Sequence, residues 1–244
     1  MYGYISGIFS IPGFIHEYIS IDFMHTADLG VSQYVLGAVF FELFLELGGV
    51  QSRPGETCGI LLILIKMFAK SLGVQAPINT LVFTMFKRSG KPCKFRGKAA
   101  ECRHLIPIVL EILRVAFPRE TEHQILRFNC VQELANLYKI VMAWDDDVSS
   151  QAVDAARRFH IYYAELNKAS CAARGDLMVW RFVPKFHLLH HCCESIAGFG
   201  SIIFHWCYAD ERSIGRAAKL AAAGHPSTIS KTIMEKYRCW DVLS

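Results

Sequence analysis

Three groups of residues have types and spacings that could do chemistry. Asp22, Phe23, Met24 and His25, followed by Asp28, Leu29, Gly30 and Val31, form the first. A carboxylate and an imidazole three residues apart can both face a cleft and handle a proton. The same Asp22 is equally suited to cap a following helix, with His25 in a partly buried capping or core position. The second group is Ala209, Asp210, Glu211, Arg212, Ser213, Ile214 and Gly215. Two adjacent acids in a helix first turn are also what the helix macrodipole favours, whatever the function. The third group lies between 187 and 207: His187, His190, His191, Cys192, Cys193, His205 and Cys207. His187 and His191 are four apart and share a helix face, which Glu194 extends. Zn²⁺ at His187 and His191 is one reading. Zinc needs four ligands converging tetrahedrally and the usual paired cysteine spacing is missing, so buried or DNA-facing histidines are the other. Nucleophile elbows, dinucleotide-binding glycine patterns and phosphate-binding loops are absent from the sequence.

The net charge of +4 hides an uneven distribution. Residues 1–52 hold Glu17, Asp22, Asp28, Glu42 and Glu46 and no base, whereas Lys87, Arg88, Lys91, Lys94, Arg96, Lys98 and Arg103 stand against Glu101 alone. A second basic stretch holds Arg212, Arg216, Lys219, Lys231, Lys236 and Arg238 against Glu235. Concentrated positive charge on an otherwise acidic body is what a polyanion-binding protein needs, because each neutralised phosphate releases counterions. Ordinary solvated surface is the competing reading of both stretches. Trp180, Phe182, Phe186, Trp206 and Tyr208 could stack on bases, but core packing is the stronger expectation for them.

These residues must be positioned by a folded body. With 52% hydrophobic and 20% charged residues, the 244-residue chain is not disordered. The mean hydropathy of +0.26 raises the question of a membrane. A spanning helix needs roughly 18 uncharged apolar residues. The longest runs without Asp, Glu, Lys or Arg, residues 1–16 and 71–86, are 16 long and are broken by prolines, glycines or polar residues. The first basic residue is Arg53, so there is no positively charged leader of the secretory type. Nine irregularly spaced cysteines without a CxxC pair point to reduced thiols. The expectation is a soluble intracellular protein with buried hydrophobic helices.

Periodicity predicts a strand at 18–21, a central buried helix at 29–47 and a second apolar helix at 58–72. Residues 87–98 read as a loop. Further helices are expected over 99–117, with Pro107 inside; over 121–144, opened by a Thr121-x-x-Gln124 capping box; and over 150–169. Asp145, Asp146 and Asp147 read as a turn, and Arg174, Gly175 and Asp176 as a break. Pro184 opens a short helix to residue 191, a strand is expected at 201–209, and helices at 210–223 and 227–240 close the chain.

Strand signals near the two ends only, around an all-helical middle, describe a mostly α chain. The expected fold is an incomplete α/β core of few short strands, interrupted by a long helical insertion. The segments are 1–26 with the first strand, 27–182 as the insertion, and 183–244 as the returning strand and helices.

The DxxH of Asp22 and His25, with the Leu-rich helix after it, resembles the C/DxxH signature of eukaryotic cut-and-paste transposases with an RNase H-like fold, including the hAT and CACTA groups. Val183, Pro184, Lys185, Phe186 and His187 resemble a Pro-Lys-x-His stretch found before the final acid in transposon-derived proteins. Asp210, Glu211 and Arg212 resemble the start of that family's returning helix, with Glu211 or Asp210 as the last catalytic acid and Mg²⁺ ligand. The family reaction is metal-dependent DNA cleavage and strand transfer, with two Mg²⁺ ions held between three carboxylates. Residues 1–21 leave no room for the strands that carry the first two acids. The resemblance therefore implies a carboxyl-terminal piece or transposon-derived relic, inactive by itself. It also implies DNA as partner, through Lys87, Arg88, Lys91, Lys94, Arg96, Lys98, Arg103, Lys185, Arg212 and Arg216, and a nuclear location. No membrane or small-molecule substrate is expected, and homo-oligomerisation is left open. A helical protein-interaction domain without a nucleic-acid role is the alternative.

Overall fold

The computed structural model describes residues 12, 20–48, 53–143, 148–174, 179–222, 230, 231 and 233–235. It divides into two units, Met1–His205 and Trp206–Ser244, each described by itself. The first unit begins with a π-helical segment, Met24–Val31, that runs directly into α1, Ser32–Glu46. The Ser32 N–H donates to Ala27 O, five residues back, which is the wider turn of a π-helix. Five further helices follow in this unit: α2 (Pro54–Ser71), α3 (Ala99–Val115), α4 (Glu122–Met142), α5 (Val148–Arg174) and α6 (Pro184–Phe199). Single 3₁₀ turns occur at Phe83–Met85 and Ile202–His205. The second unit contains α7, Tyr208–Ala222.

The described residues do not form the expected strands. No strand occurs among the described residues, so the incomplete α/β core is overturned and the described architecture is a helical bundle. The reason is local at both places. Residues 20–22 are irregular, and the Asp22 carboxylate accepts from the N–H groups of Met24 (3.1 Å) and His25 (3.2 Å), turning the chain into a helix. Residues 18 and 19 lie outside the described residues. The run at 201–209 divides between the 3₁₀ turn and the first turn of α7, where Glu211 N–H donates to Cys207 O at 2.8 Å. Short apolar runs fit a buried helical turn as well as a strand, and periodicity alone does not separate the two. The expected turn at 145–147 lies outside the described residues, as do most of 223–244.

Where they fall on described residues the helix expectations hold, except that α6 runs past residue 191 to Phe199; the helix expected at 227–240 lies mostly outside the described residues. α1 is central: Val35, Leu36, Ala38, Val39, Phe40 and Leu43 are fully buried. With the π-helical segment it packs against α3, and that segment also packs on α6. α4 lies along α5, and α5 along α6. The capping box at α4 forms as expected, with Gln124 N–H donating to Thr121 Oγ1 at 3.2 Å and Thr121 N–H to Gln124 Oε1 at 3.1 Å. α3 continues through Pro107. Met24–Glu46 is long and apolar enough to cross a membrane, and 83% of its apolar window is buried inside the fold. The eight described cysteines form no disulfide, and six of them are buried. Burial pushes the thiols of Cys102, Cys192 and Cys193 up to about 12, which makes them apolar filler rather than nucleophiles.

A buried polar cluster ties the helices together. Glu42 on α1 accepts from His123 Nε2 (2.8 Å) and Arg127 Nη1 (3.3 Å) on α4, and from Trp180 Nε1 (2.7 Å) before α6. Arg127, 1% exposed, also holds Glu46 through Nη1 at 2.6 Å and Nη2 at 3.2 Å. Burial alone would push the Glu42 carboxyl upward. The His123 hydrogen bond and charge, with Arg127 and Trp180, outweigh it and hold Glu42 below its ordinary value.

Candidate functional site

The DxxH group and the Pro-Lys-x-His group, 160 residues apart, meet in the first unit. Asp22 caps the π-helical segment, as its capping role required, and also bonds the His25 ring at Nδ1. Lys185, at the first turn of α6, donates from Nζ to His25 O at 2.7 Å and to Leu29 O at 3.2 Å. Gly30 makes room for it: a Cβ there would sit 3.2 Å from both His25 O and Lys185 Cβ and would overlap the Lys185 stem. Burial and the charge of nearby Lys94 hold the Lys185 ammonium below its usual range, against the pull of Asp22. Asp28, fully buried on the same segment, accepts from Tyr138 Oη at 2.5 Å, and Tyr138 Oη pairs with Ser32 Oγ at 2.8 Å.

The basic segment is ordered and fastened to α1. Phe95 N–H donates to Gln33 O at 2.7 Å, Gln33 Nε2 donates to Gly97 O at 3.0 Å, and Phe95 packs edge-on against Phe40. Gly37 permits this approach, because a Cβ there would lie 2.5 Å from Lys94 Cα and N. Several of the segment's cations donate to neutral carbonyls. Lys87 Nζ donates to Lys91 O at 2.9 Å, Arg88 Nε to Thr84 O at 3.4 Å, and Arg96 Nη1 to Thr84 O at 3.0 Å and Lys94 O at 3.2 Å. Lys94 lies over the Tyr34 ring. Glu101 is turned to the Lys98 N–H at 2.8 Å, at the start of α3. Arg88, Lys91 and Lys98 are exposed; Lys87 is buried; Lys94, Arg96 and Arg103 are half-buried.

On α6, His187 and His191 turn their Nε2 atoms toward one another at 3.0 Å. His191 Nδ1 bonds Glu194 Oε2 at 2.8 Å, and His190 Nε2 lies 3.3 Å from Glu194 Oε1. The His191 hydrogen bond, with the neighbouring imidazoles, keeps the Glu194 carboxyl below its ordinary range. A groove of about 600 Å³ runs beside this face, lined by Arg157, His160, Phe182, Phe186, His187 and His190 among others. His160 Nε2 is buried with no hydrogen-bond partner among the described residues, and burial, with the charge of His190, lowers the His160 imidazole to about 4.

In the second unit Asp210 and Glu211 stand exposed in the first turn of α7, with Arg212 and Arg216 exposed further along it. Among the described residues no three carboxylates converge. The residues present therefore do not form the two-Mg²⁺ site that the resemblance implies. Trp180 and Phe186 are core, as expected, while Phe182 is exposed at the groove. The Glu42 cluster and the buried His160 were not foreseen from the sequence. An acid within the otherwise apolar run at 35–44 was the only signal for the first, and nothing marked the second.

Compared with family models, with curated proteins and with solved structures, the chain matches none.

Proposed function

We propose that this chain is a helical DNA-binding module, related to cut-and-paste transposases, that holds the nucleic-acid backbone without cutting it. The observation that carries this reading is the basic segment. It is fastened to the central helix, it presents Arg88, Lys91 and Lys98 outward, and Arg96 donates to carbonyls, which leave its positive charge intact. A rigid cationic surface lowers the cost of ordering when a polyanion binds. Lys94 and Lys185 extend the same charge toward the DxxH segment. The relation to transposases draws on the two motifs, which Lys185 joins through His25 O. A nuclear location follows from the same reading.

The test is fluorescence-anisotropy binding of duplex DNA across a salt series. Log K is expected to fall linearly with log salt. Arg88→Ala, Lys91→Ala and Lys98→Ala together reduce the slope by up to about 3, at roughly 0.9 for each phosphate that is no longer neutralised. No binding at low salt, or a flat slope, would transfer the assignment to the second reading, a helical protein-interaction domain. One observation favours that alternative: Ile60, Ile63 and Met67 form an exposed apolar stripe along α2.

A further inference from the structure

We propose that His187 and His191, with Glu194 behind them, form a chelating site for a divalent transition metal of square-planar or octahedral preference, copper or nickel rather than zinc. The two rings stand on successive turns of α6, with centroids 4.4 Å apart and Nε2 atoms only 3.0 Å apart. Both rings therefore turn that nitrogen toward a shared point. Glu194 accepts from His191 Nδ1–H at 2.8 Å, which fixes the tautomer that leaves the Nε2 lone pair available. A carboxylate behind a ligating histidine is the usual outer partner of such a ligand; it orients the ring and raises its basicity.

The spacing selects the metal. Metal–imidazole bonds of about 2.0–2.1 Å spanning 3.0 Å give an N–metal–N angle of about 94°. That is close to the right angle between neighbouring ligands in square-planar or octahedral coordination, the preference of Cu²⁺ and Ni²⁺. A tetrahedral angle would need the nitrogens about 3.3–3.4 Å apart. On binding, the His187 proton shared between the two Nε2 atoms moves through solvent to His187 Nδ1, so that both Nε2 lone pairs face the ion, and the remaining positions are filled by water or an outside ligand. Both histidines are solvent-accessible, so the ion has a direct route in. Copper binds more tightly than nickel or zinc, following the general order for nitrogen sites.

Isothermal titration of the full chain with Cu²⁺, Ni²⁺ and Zn²⁺ tests this, together with electron paramagnetic resonance of the copper form. One equivalent of Cu²⁺ is expected at the tightest site, with hyperfine splitting from two nitrogens, and Ni²⁺ bound more tightly than Zn²⁺. His187→Gln and His191→Gln each weaken that site at least tenfold, and Glu194→Gln weakens it about tenfold. His104→Gln, on exposed surface of α3, leaves it unchanged. Circular dichroism verifies that the variants retain their helices. Unchanged affinity in either histidine variant, or a preference for Zn²⁺ over Ni²⁺, would overturn the proposal. DNA binding is measured on Arg88, Lys91 and Lys98, so the two readings succeed or fail separately.

Discussion

Replacing Gly37 by alanine tests the joint that fastens the basic segment to α1. In an exposed helix interior this substitution stabilises by up to about 1 kcal/mol, because alanine is the better helix former. At position 37 the new Cβ would lie 2.5 Å from Lys94 Cα and N and 2.7 Å from Phe95 N, all main-chain atoms that cannot rotate away. The 94–97 backbone must move off α1. That strains the Phe95–Gln33 bond (2.7 Å) and the Gln33–Gly97 bond (3.0 Å), and it loosens buried Phe95 from Phe40. Overpacking costs about 1–3 kcal/mol. Two weakened hydrogen bonds add about 1 kcal/mol each. After the helix-propensity gain, a net loss of about 2–4 kcal/mol is expected. Guanidinium denaturation followed by circular dichroism reads it. Gly59→Ala is the control, since a Cβ there meets nothing within 4 Å inside α2, and it should be neutral or stabilising. A Gly37→Ala protein within about 0.5 kcal/mol of the parent would refute the close approach of the basic segment to α1.

Glu42→Gln is expected to destabilise by about 3 kcal/mol near neutral pH, because buried Arg127 is left with Glu46 alone and His123 and Trp180 lose a charged acceptor. The Glu42 carboxyl sits below its ordinary 4.5 in the folded chain, so its contribution is present above that pH and lost as pH falls through the lower folded value. The gap between parent and variant should close in acid; an equal gap at pH 7 and pH 3 would contradict this account. His160 carries the reverse chemistry with the same pH direction. Its folded value of about 4 lies below the ordinary 6.5, so the unfolded chain takes up the proton first and the parent loses stability, of order 2 kcal/mol, as pH falls from 6.5 toward 4. Urea midpoints measured across that window should be flatter for His160→Gln, and parallel curves would rule out a neutral buried imidazole.

The helices were legible because their signals are local. The Thr121–Gln124 box, the apolar period through Val131, Leu134, Tyr138 and Val141, and the uniformly apolar stretch around Phe40 each act within a few turns and set α4 and α1 where the sequence pattern puts them. No strand occurs at the described residues 20–21, where the Asp22 cap turns the chain into a helix, and none at 201–209, because a short apolar run buries equally well as a turn of helix. The RNase H-like core that the resemblance implies requires strands, and the described residues contain none.

For the site, the sequence placed the histidine pair on one helix face, the basic loop between helices and an acid at a helix start, since each depends on spacing alone. Tertiary structure decided what those groups touch. Lys185 reaching His25 across 160 residues, Glu42 finding His123, Arg127 and Trp180, and Gly37 admitting the Lys94 backbone are long-range contacts. Periodicity carries no information on which residues from distant segments will meet, because those partners are chosen by the packing of whole helices. The metal geometry divides the same way: the four-residue interval brings His187 and His191 together, and only the ring orientations, held by Glu194, set the 3.0 Å separation that separates one metal class from another.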